Sequence, residues 1–122
     1  MLPARLYKWK INDPYHGGVP DAYYAGPNGF CFVEYKYIPE LPSRGTSKLN
    51  FNLTTQQKLW LLQQHRFNVP VYVVLGAEDQ VVLTQDFQNA NAFTVSQFLE
   101  QSIEVEDFIV KLVDICLGKQ ND

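Results

Sequence analysis

The sequence predicts an α/β domain with a mixed central sheet flanked by helices. A strand at 30–37 is followed by an amphipathic helix at 54–67 and an apolar, β-branched run at 69–75, which is the order of a parallel crossover unit. A second amphipathic helix is expected at 104–117, ending at a glycine. The length suits one domain, which we expect to span residues 1–122.

The N-terminal part predicts a strand and a hairpin. The run "RLYKWKIN" at 5–12 alternates aromatic with basic residues, which indicates a half-buried strand with a basic outer face. Two aromatic-rich segments, 21–25 and 30–37, flank the turn "GPNG" and are expected to pair as a hairpin. Only "MLPAR" precedes the first strand, so any helix there is expected to be missing or very short.

The remaining segments complete the predicted sheet and its helices. Residues 38–53 contain two prolines and no regular pattern, which predicts a long loop. Thr54 is a good N-cap for the helix at 54–67, and Gln57 completes a capping box. Residues 80–84 are expected to pair with the strand at 69–75. The apolar residues of the helix at 54–67 are expected to face the core: Leu59, Trp60, Leu61, Leu62 and Phe67.

Several classes of protein are excluded by the sequence. No apolar run reaches the ~18–20 residues of a membrane span, and the N-terminus lacks the apolar centre of a secretory signal. Cys31 and Cys116 lie far apart among apolar residues, which predicts buried, reduced thiols and no zinc site. We therefore expect a cytoplasmic protein with no membrane partner.

Charge is distributed unevenly along the chain. Residues 1–66 carry eight basic and four acidic residues, a net charge of +4, whereas residues 67–122 carry two basic and nine acidic residues, a net charge of −7. Such asymmetry indicates a polyanionic partner on the basic side. The alternative is that the C-terminal acids form a solvated helical face.

The hairpin places two carboxylates together. A two- or four-residue loop centred on Pro27 and Asn28 puts Asp21 directly opposite Glu34, with Cβ atoms ~4.5–5.5 Å apart. Like charges in opposite positions destabilise a sheet unless a cation lies between them. Lys36 lies two residues beyond Glu34 and therefore points to the same face. A three- or five-residue loop would shift this pairing by one residue.

These residue types suit metal-dependent phosphoryl chemistry. Mg²⁺ prefers oxygen ligands and is typically held by one or two carboxylates together with substrate phosphate. A neighbouring ammonium can orient a water molecule or stabilise charge on an attacked phosphate. The alternative interpretation is structural: Asp21 as a turn residue, with Glu34 and Lys36 as a screened surface pair.

The motif "Pro20-Asp21 … Glu34-Tyr35-Lys36" resembles the signature of the PD-(D/E)XK nuclease superfamily. "Gly18-Val19-Pro20-Asp21" resembles the form found in virus-type replication-repair nucleases and Holliday-junction resolvases. "Leu53-Thr54-Thr55-Gln56-Gln57" resembles the "Leu-Ser-x-x-Gln" helix start of many such relatives. The resemblance covers about residues 5–84 and implies a restriction-endonuclease-like fold. The family usually has a helix before its first core strand, often with another acidic residue, and that helix is missing or very short here. The alternatives are a site with two acids, or a third acid supplied by a partner subunit or by the helix at 104–117.

The resemblance also implies roles for individual residues. Asp21 and Glu34 would bind Mg²⁺ or Mn²⁺ together with the backbone carbonyl of Tyr35. Lys36 would position the attacking water, and Gln57 would steady the site or contact the substrate. The capping box alone also accounts for Gln57. The implied reaction is the metal-dependent hydrolysis of DNA phosphodiester bonds.

The implied partner is duplex or branched DNA. A Holliday junction requires two cuts, which implies a homodimer, and the small size suggests a bacterial or phage-infected host cell. The second hypothesis is a catalytically weak or inactive nuclease-derived module for DNA binding or assembly, because no acid precedes the first strand. Five basic residues are expected to contact the phosphate backbone, although loop solubility also explains those in loops: Lys8, Lys10, Arg44, Lys48 and Lys58.

Overall fold

The computed structural model describes residues 2–13 and 17–118. Their strands and helices, together with a 3₁₀ turn at Ala90–Ala92, follow one another along the chain. In order they are β1 (Tyr7–Lys10), β2 (Ala22–Gly26), β3 (Gly29–Ile38), β4 (Lys48–Leu49), α1 (Thr55–Arg66), β5 (Val71–Ala77), β6 (Gln80–Thr84), β7 (Phe93–Thr94), α2 (Val95–Gln101), β8 (Ile103–Glu104) and α3 (Val105–Leu117).

The main sheet has six strands in the order β1-β2-β3-β5-β6-β8. Strands β3 and β5 are parallel and are connected through α1, while the other neighbours are antiparallel. The predicted class, an α/β domain with a mixed sheet flanked by helices, is confirmed. No helix lies between residue 2 and β1.

Helices pack on both faces of this sheet. On one face α3 contacts β2 and β3 through a cluster that includes Val33 and Phe108. On the other face α1 packs on β5, where Leu61 joins a larger cluster with Val73 and Leu75. In the middle of β3, Val33 and Glu34 are both buried but face opposite sides of the sheet, so they enter two separate layers.

The prediction of a half-buried first strand is wrong. Tyr7 is 59% exposed and Trp9 is 50% exposed, and all four residues of β1 are open to solvent. The reason is that β1 is an edge strand, whereas α1 packs over β5, three positions further along the sheet. The alternating pattern identified the strand, but it did not report whether anything covers it.

The prediction of which α1 residues face the core is wrong for Leu59 and Phe67. Leu61 is fully buried, but Leu59 is 62% exposed and Phe67 is mostly exposed. Leu59 is two residues from Leu61, about 200° around the helix, and therefore points away from the sheet. Phe67 is the C-cap and lies beyond the last helical turn.

The segment 38–53 is more ordered than the predicted loop. Its residues Lys48 and Leu49 form β4, which pairs with β7 near the start of α2. The backbone N–H of Val95 also donates to the carbonyl of Ser47 at 2.9 Å. Strands of two residues leave no periodic pattern in the sequence, so β4, β7 and β8 were not predicted.

The structure also bears on the predictions for the two cysteines and for membrane spans. Cys31 and Cys116 are free thiols and both are buried, as predicted. Burial raises the pKa of Cys31 to about 12, which keeps the thiol protonated at neutral pH. None of the helices in residues 2–13 and 17–118 has the length and hydropathy of a membrane-spanning segment.

Candidate functional site

The β2–β3 hairpin has the register that brings two carboxylates together. Gly26 pairs with Gly29 around a two-residue turn, and Ala22 pairs with Val33. Asp21 immediately precedes the paired residues of β2 and therefore lies beside Glu34. The predicted register is confirmed.

Asp21 is held by hydrogen bonds from the backbone of β3 and from the residue that follows β1. Its Oδ2 accepts a hydrogen bond from the backbone N–H of Tyr35 at 2.9 Å. Its carbonyl accepts one from the N–H of Ile11 at 2.8 Å, just beyond β1. The N–H and C=O of one strand residue point to the same edge, so the Tyr35 carbonyl also points to the edge where Asp21 lies. The exposed Asp21 carboxylate is thus held in place without being buried.

Glu34 is a buried carboxylate, and only one of its two oxygens is hydrogen-bonded within the described residues. It is 3% exposed, and its Oε2 accepts a hydrogen bond from Nε2 of Gln57 at 3.0 Å and lies 3.3 Å from Nζ of Lys36. Its Oε1 is buried and has no hydrogen-bond partner among residues 2–13 and 17–118. Burial raises the pKa of Glu34 and the charge of Asp21 raises it further, whereas Lys36 and the backbone N–H of Asp21 lower it.

Lys36 is held on the same face of β3 as Glu34. Its ammonium donates to Oε1 of Gln57 at 3.1 Å and to the backbone carbonyl of Asn52 at 3.3 Å. Asn52 has a left-handed backbone (φ 56°), which asparagine adopts more readily than most residues, and its N–H donates to the Asn50 side chain. Sequence reasoning missed Asn52; its signal is the "Asn-Phe-Asn" run just before the helix.

Gln57 has both a capping role and a role in the site. Its Oε1 accepts from the backbone N–H of Thr54 at 3.0 Å, which closes the predicted capping box. The same oxygen accepts from Lys36, and the amide nitrogen donates to Glu34. The Gln57 side chain therefore caps α1 and bridges Lys36 and Glu34 at the same time.

Gly18 joins the segment before Asp21 to the start of α1. Its φ of 88° is in the region that favours glycine, and a Cβ there would lie 2.5 Å from the backbone oxygen of Gln56. The close approach requires a residue without a side chain. It therefore ties the Asp21 segment to the helix that carries Gln57.

Helix α2 provides a matched control for Gln57, because Thr94 and Gln97 form the same capping box without a neighbouring site. We expect Gln97→Ala to remove only the cap interaction. Gln57→Ala also removes the hydrogen bond to buried Glu34 and should cost about 1–3 kcal/mol more in the free energy of unfolding. Urea denaturation of both variants measures the difference. Equal losses would show that Gln57 acts only as a cap.

The carboxylates fit a hard divalent cation. A buried oxygen without a partner is rare in proteins and needs a ligand or an explanation, and within the described residues Oε1 of Glu34 is such an atom. Asp21 supplies a second, exposed carboxylate at the same place. Among the residues that the structure describes, no group of three or more His, Cys, Asp or Glu residues forms a metal site. The alternative that α3 supplies a third acidic ligand is therefore not met there.

The residues predicted to bind DNA are not on one surface. Lys8 pairs with Tyr24 and Lys10 pairs with Ala22, which places both lysines on the α3 side of the sheet, opposite Glu34. There they line a cavity of about 430 Å³ together with Asp21.

The other predicted contacts lie on the side of α1. Arg44 and Lys48 are exposed on the segment that leads to Asn52, the residue whose carbonyl accepts from Lys36. Lys58 follows Gln57 on α1 and is half-buried. These three residues are therefore close in sequence to groups that build the site. Lys8 and Lys10 share a cavity with Asp21 but lie on the opposite face of the sheet from Glu34.

Comparison with known proteins shows a loose structural likeness. Hjc, a Holliday junction resolvase from the archaeal hyperthermophile Archaeoglobus fulgidus, superimposes with a TM-score of 0.44 and 18% sequence identity, covering 66% of this chain and 65% of that chain. The chain thus matches just under two thirds of the length of Hjc. At this TM-score and identity, the likeness assigns no activity, substrate or cofactor. No family model and no curated protein matches the chain.

Proposed function

We propose that this protein is a nuclease that hydrolyses DNA phosphodiester bonds with the help of a divalent metal ion. The observation that carries the proposal is the buried Glu34 carboxylate, whose Oε1 has no partner within the described ranges and which lies beside Asp21 and Lys36. A buried carboxylate between another acid and an ammonium is costly for the fold, and such cost is typical of functional sites.

The residues present fit Mg²⁺ or Mn²⁺. Asp21 and Glu34 would hold the ion, with the backbone carbonyl of Tyr35 as an additional oxygen ligand. When bound, the ion supplies Lewis-acid activation of the phosphate and charge neutralisation at the scissile bond. Its positive charge also offsets the repulsion between the two carboxylates.

The side chains around the carboxylates perform the remaining tasks. In hydrolysis, a water oxygen forms a bond to phosphorus, the bond from phosphorus to one sugar oxygen breaks, and that oxygen gains a proton. Lys36 is the group that would orient the water and stabilise the negative charge on phosphate. Gln57 is a positioning residue, because it holds both Glu34 and Lys36.

The nature of the substrate extends this proposal. We propose duplex or branched DNA as the partner, with a Holliday junction as one candidate, and a homodimer that makes the two cuts. Lys8, Lys10, Arg44, Lys48 and Lys58 are the proposed phosphate contacts. A bacterial or phage-infected cytoplasm remains the predicted location.

Cleavage assays test the proposed activity. We expect the protein to cut at least one of four-way-junction, flap, duplex and single-stranded DNA in Mg²⁺, with no cutting in EDTA. Asp21→Asn should abolish cutting because it removes a charged ligand, whereas Asp79→Asn removes an exposed acid outside the site and should not. If the wild-type protein cuts none of these substrates, or if Asp21→Asn cuts as well as Asp79→Asn, the proposed activity is wrong.

The second candidate function is a DNA-binding or assembly module derived from a nuclease. The observation that favours it is that no third acidic or histidine side chain joins Asp21 and Glu34 in the described parts of the chain. Calorimetric titration with Mn²⁺ separates the two candidates. Metal binding that disappears in Asp21→Asn favours the nuclease, and DNA binding without any metal binding favours the module.

A further inference from the structure

The side chain of Asn91 holds the backbone of Leu53 from both sides. Its Oδ1 accepts a hydrogen bond from the backbone N–H of Leu53 at 3.3 Å, and its Nδ2 donates to the carbonyl of Leu53 at 3.3 Å. Asn91 lies in the 3₁₀ turn at Ala90–Ala92, 38 residues further along the chain. An asparagine side chain carries an acceptor and a donor group, as the backbone does, so Asn91 pairs with Leu53 as a residue of a neighbouring antiparallel strand would.

The peptide group between Asn52 and Leu53 connects Asn91 to Lys36. The N–H of this group belongs to Leu53 and donates to Oδ1 of Asn91. Its carbonyl belongs to Asn52 and accepts from the Lys36 ammonium at 3.3 Å. A peptide group is planar and almost always trans, so its N–H and its C=O point in opposite directions. The hydrogen bond to Asn91 therefore fixes the direction in which the carbonyl points towards Lys36.

The next peptide group, between Leu53 and Thr54, connects Asn91 to Gln57. The carbonyl of this group belongs to Leu53 and accepts from Nδ2 of Asn91. Its N–H belongs to Thr54 and donates to Oε1 of Gln57 at 3.0 Å. The same oxygen of Gln57 accepts from the Lys36 ammonium at 3.1 Å. Asn91 is thus linked to Lys36 by two chains of hydrogen bonds, one through each peptide group.

Apolar packing already sets the position of this segment. Leu49 of β4 pairs with Phe93 of β7, and Phe51 packs edge-on against Phe93 with ring centroids 5.4 Å apart. Leu53 is buried in the same core cluster. Because the hydrophobic effect has no directional preference, this packing does not determine how the peptide groups beside Leu53 are rotated. Hydrogen bonds are directional, so the bonds from Asn91 supply that orientation.

We propose that Asn91 is a positioning residue of the candidate site, which orients the two peptide groups that hold the Lys36 ammonium beside Glu34. The inference rests on the proposed function for the role of Lys36 in cleavage. Asn91 acts through the backbone of Leu53 and not on the reacting atoms. A displacement of about 1 Å in an active site can lower a rate about 100-fold, so loss of the Asn91 side chain should slow cleavage.

Single-turnover cleavage tests the positioning role. We expect Asn91→Ala to lower the rate in Mg²⁺ by about 10- to 100-fold and to leave DNA binding in EDTA unchanged. Asn89→Ala is the matched control, because Asn89 lies in the same segment but its side chain donates to Asp86. Circular dichroism establishes that both variants are folded. If Asn91→Ala cuts as fast as Asn89→Ala, the proposal is wrong.

A second comparison separates positioning from a general loss of structure. If Asn91 acts through the Lys36 ammonium, then Asn91→Ala should slow cleavage by a much smaller factor in a Lys36→Met protein than in the wild type, because the two residues belong to one hydrogen-bond network. A general structural defect would lower the rate by the same factor in both proteins. Equal factors therefore overturn the proposal.

A third measurement leaves Asn91 in place and requires no activity. Lys36→Met should shift the NMR signals of the Asn91 side-chain amide, because hydrogen bonds in a chain polarise one another. Lys111→Met removes a positive charge from an exposed position of α3 and should leave these signals unchanged. If Asn91→Ala fails to fold, this comparison alone decides the question. Asn91 signals that do not move in Lys36→Met contradict the inference.

The outcomes also separate this inference from the proposed nuclease activity. If the wild-type protein cuts DNA and Asn91→Ala cuts like Asn89→Ala, the positioning role fails and the activity stands. If the wild-type protein cuts no substrate but Lys36→Met shifts the signals of Asn91, the proposed activity is wrong and the link from Asn91 to Lys36 is confirmed.

Discussion

Glu34→Gln is expected to abolish metal-dependent cleavage while leaving the fold at least as stable as the wild type at neutral pH. The amide keeps the shape of the side chain and an acceptor for Gln57, but it removes the charge that a divalent cation needs. Loss of an outer-shell partner alone typically costs 10–100-fold, so loss of a direct ligand should reduce the cleavage rate by at least about 100-fold. A single-turnover assay with Mg²⁺ measures this rate.

The stability part of this prediction follows from the pKa of Glu34. Burial and the charge of Asp21 raise that pKa more than Lys36 lowers it, so the folded state prefers the protonated carboxyl. The resulting stability is present below the pKa of the unfolded chain and is lost as pH rises through the folded-state pKa. Above that range, ionised Glu34 opposes folding, and Glu34→Gln removes this penalty.

Urea unfolding in EDTA at acidic and neutral pH checks the sign. The free energy of unfolding of Glu34→Gln relative to the wild type should increase from acidic to neutral pH. Asp79→Asn is the control, because it removes one acid from an exposed turn. A Glu34→Gln variant that is relatively less stable at neutral pH would show that the ion pair with Lys36 outweighs burial and the charge of Asp21.

Lys36→Met is expected to lower the cleavage rate by about 100- to 1,000-fold, the range measured when one group that stabilises transition-state charge is removed. The methionine keeps the unbranched side chain but removes the ammonium that lies 3.3 Å from Glu34. It also removes the charge that lowers the pKa of Glu34, so metal binding should weaken on acidification at a higher pH than in the wild type.

Lys111→Met provides the control for the loss of one positive charge, because Lys111 is exposed on α3. Cleavage rates at saturating Mn²⁺ separate the two effects of Lys36→Met. A rate that recovers fully at high Mn²⁺ would limit the role of Lys36 to metal affinity. A rate equal to that of Lys111→Met under all conditions would show that Lys36 has no role in cleavage.

The local parts of the fold and the site were predictable because they depend on short-range geometry. The turn around Pro27 and Asn28 sets the hairpin register, and this register places Asp21 beside Glu34. Strand alternation then puts Lys36 on the face of Glu34, and the capping box places Gln57 at the start of α1. Each of these features is determined within one hairpin, one strand or one helix start.

The sequence by itself therefore determined the hairpin, the crossover unit and the polar trio of Asp21, Glu34 and Lys36. Only the tertiary structure decided that Gln57 bonds to Glu34 and Lys36, that the Asn52 carbonyl accepts from Lys36, and that Trp9 is half-exposed. The physical reason is that sequence periodicity reports which side chains share a face of an element. Whether that face is covered depends on where a distant helix packs, and here α1 packs over β5 and leaves the β1 end of the sheet exposed.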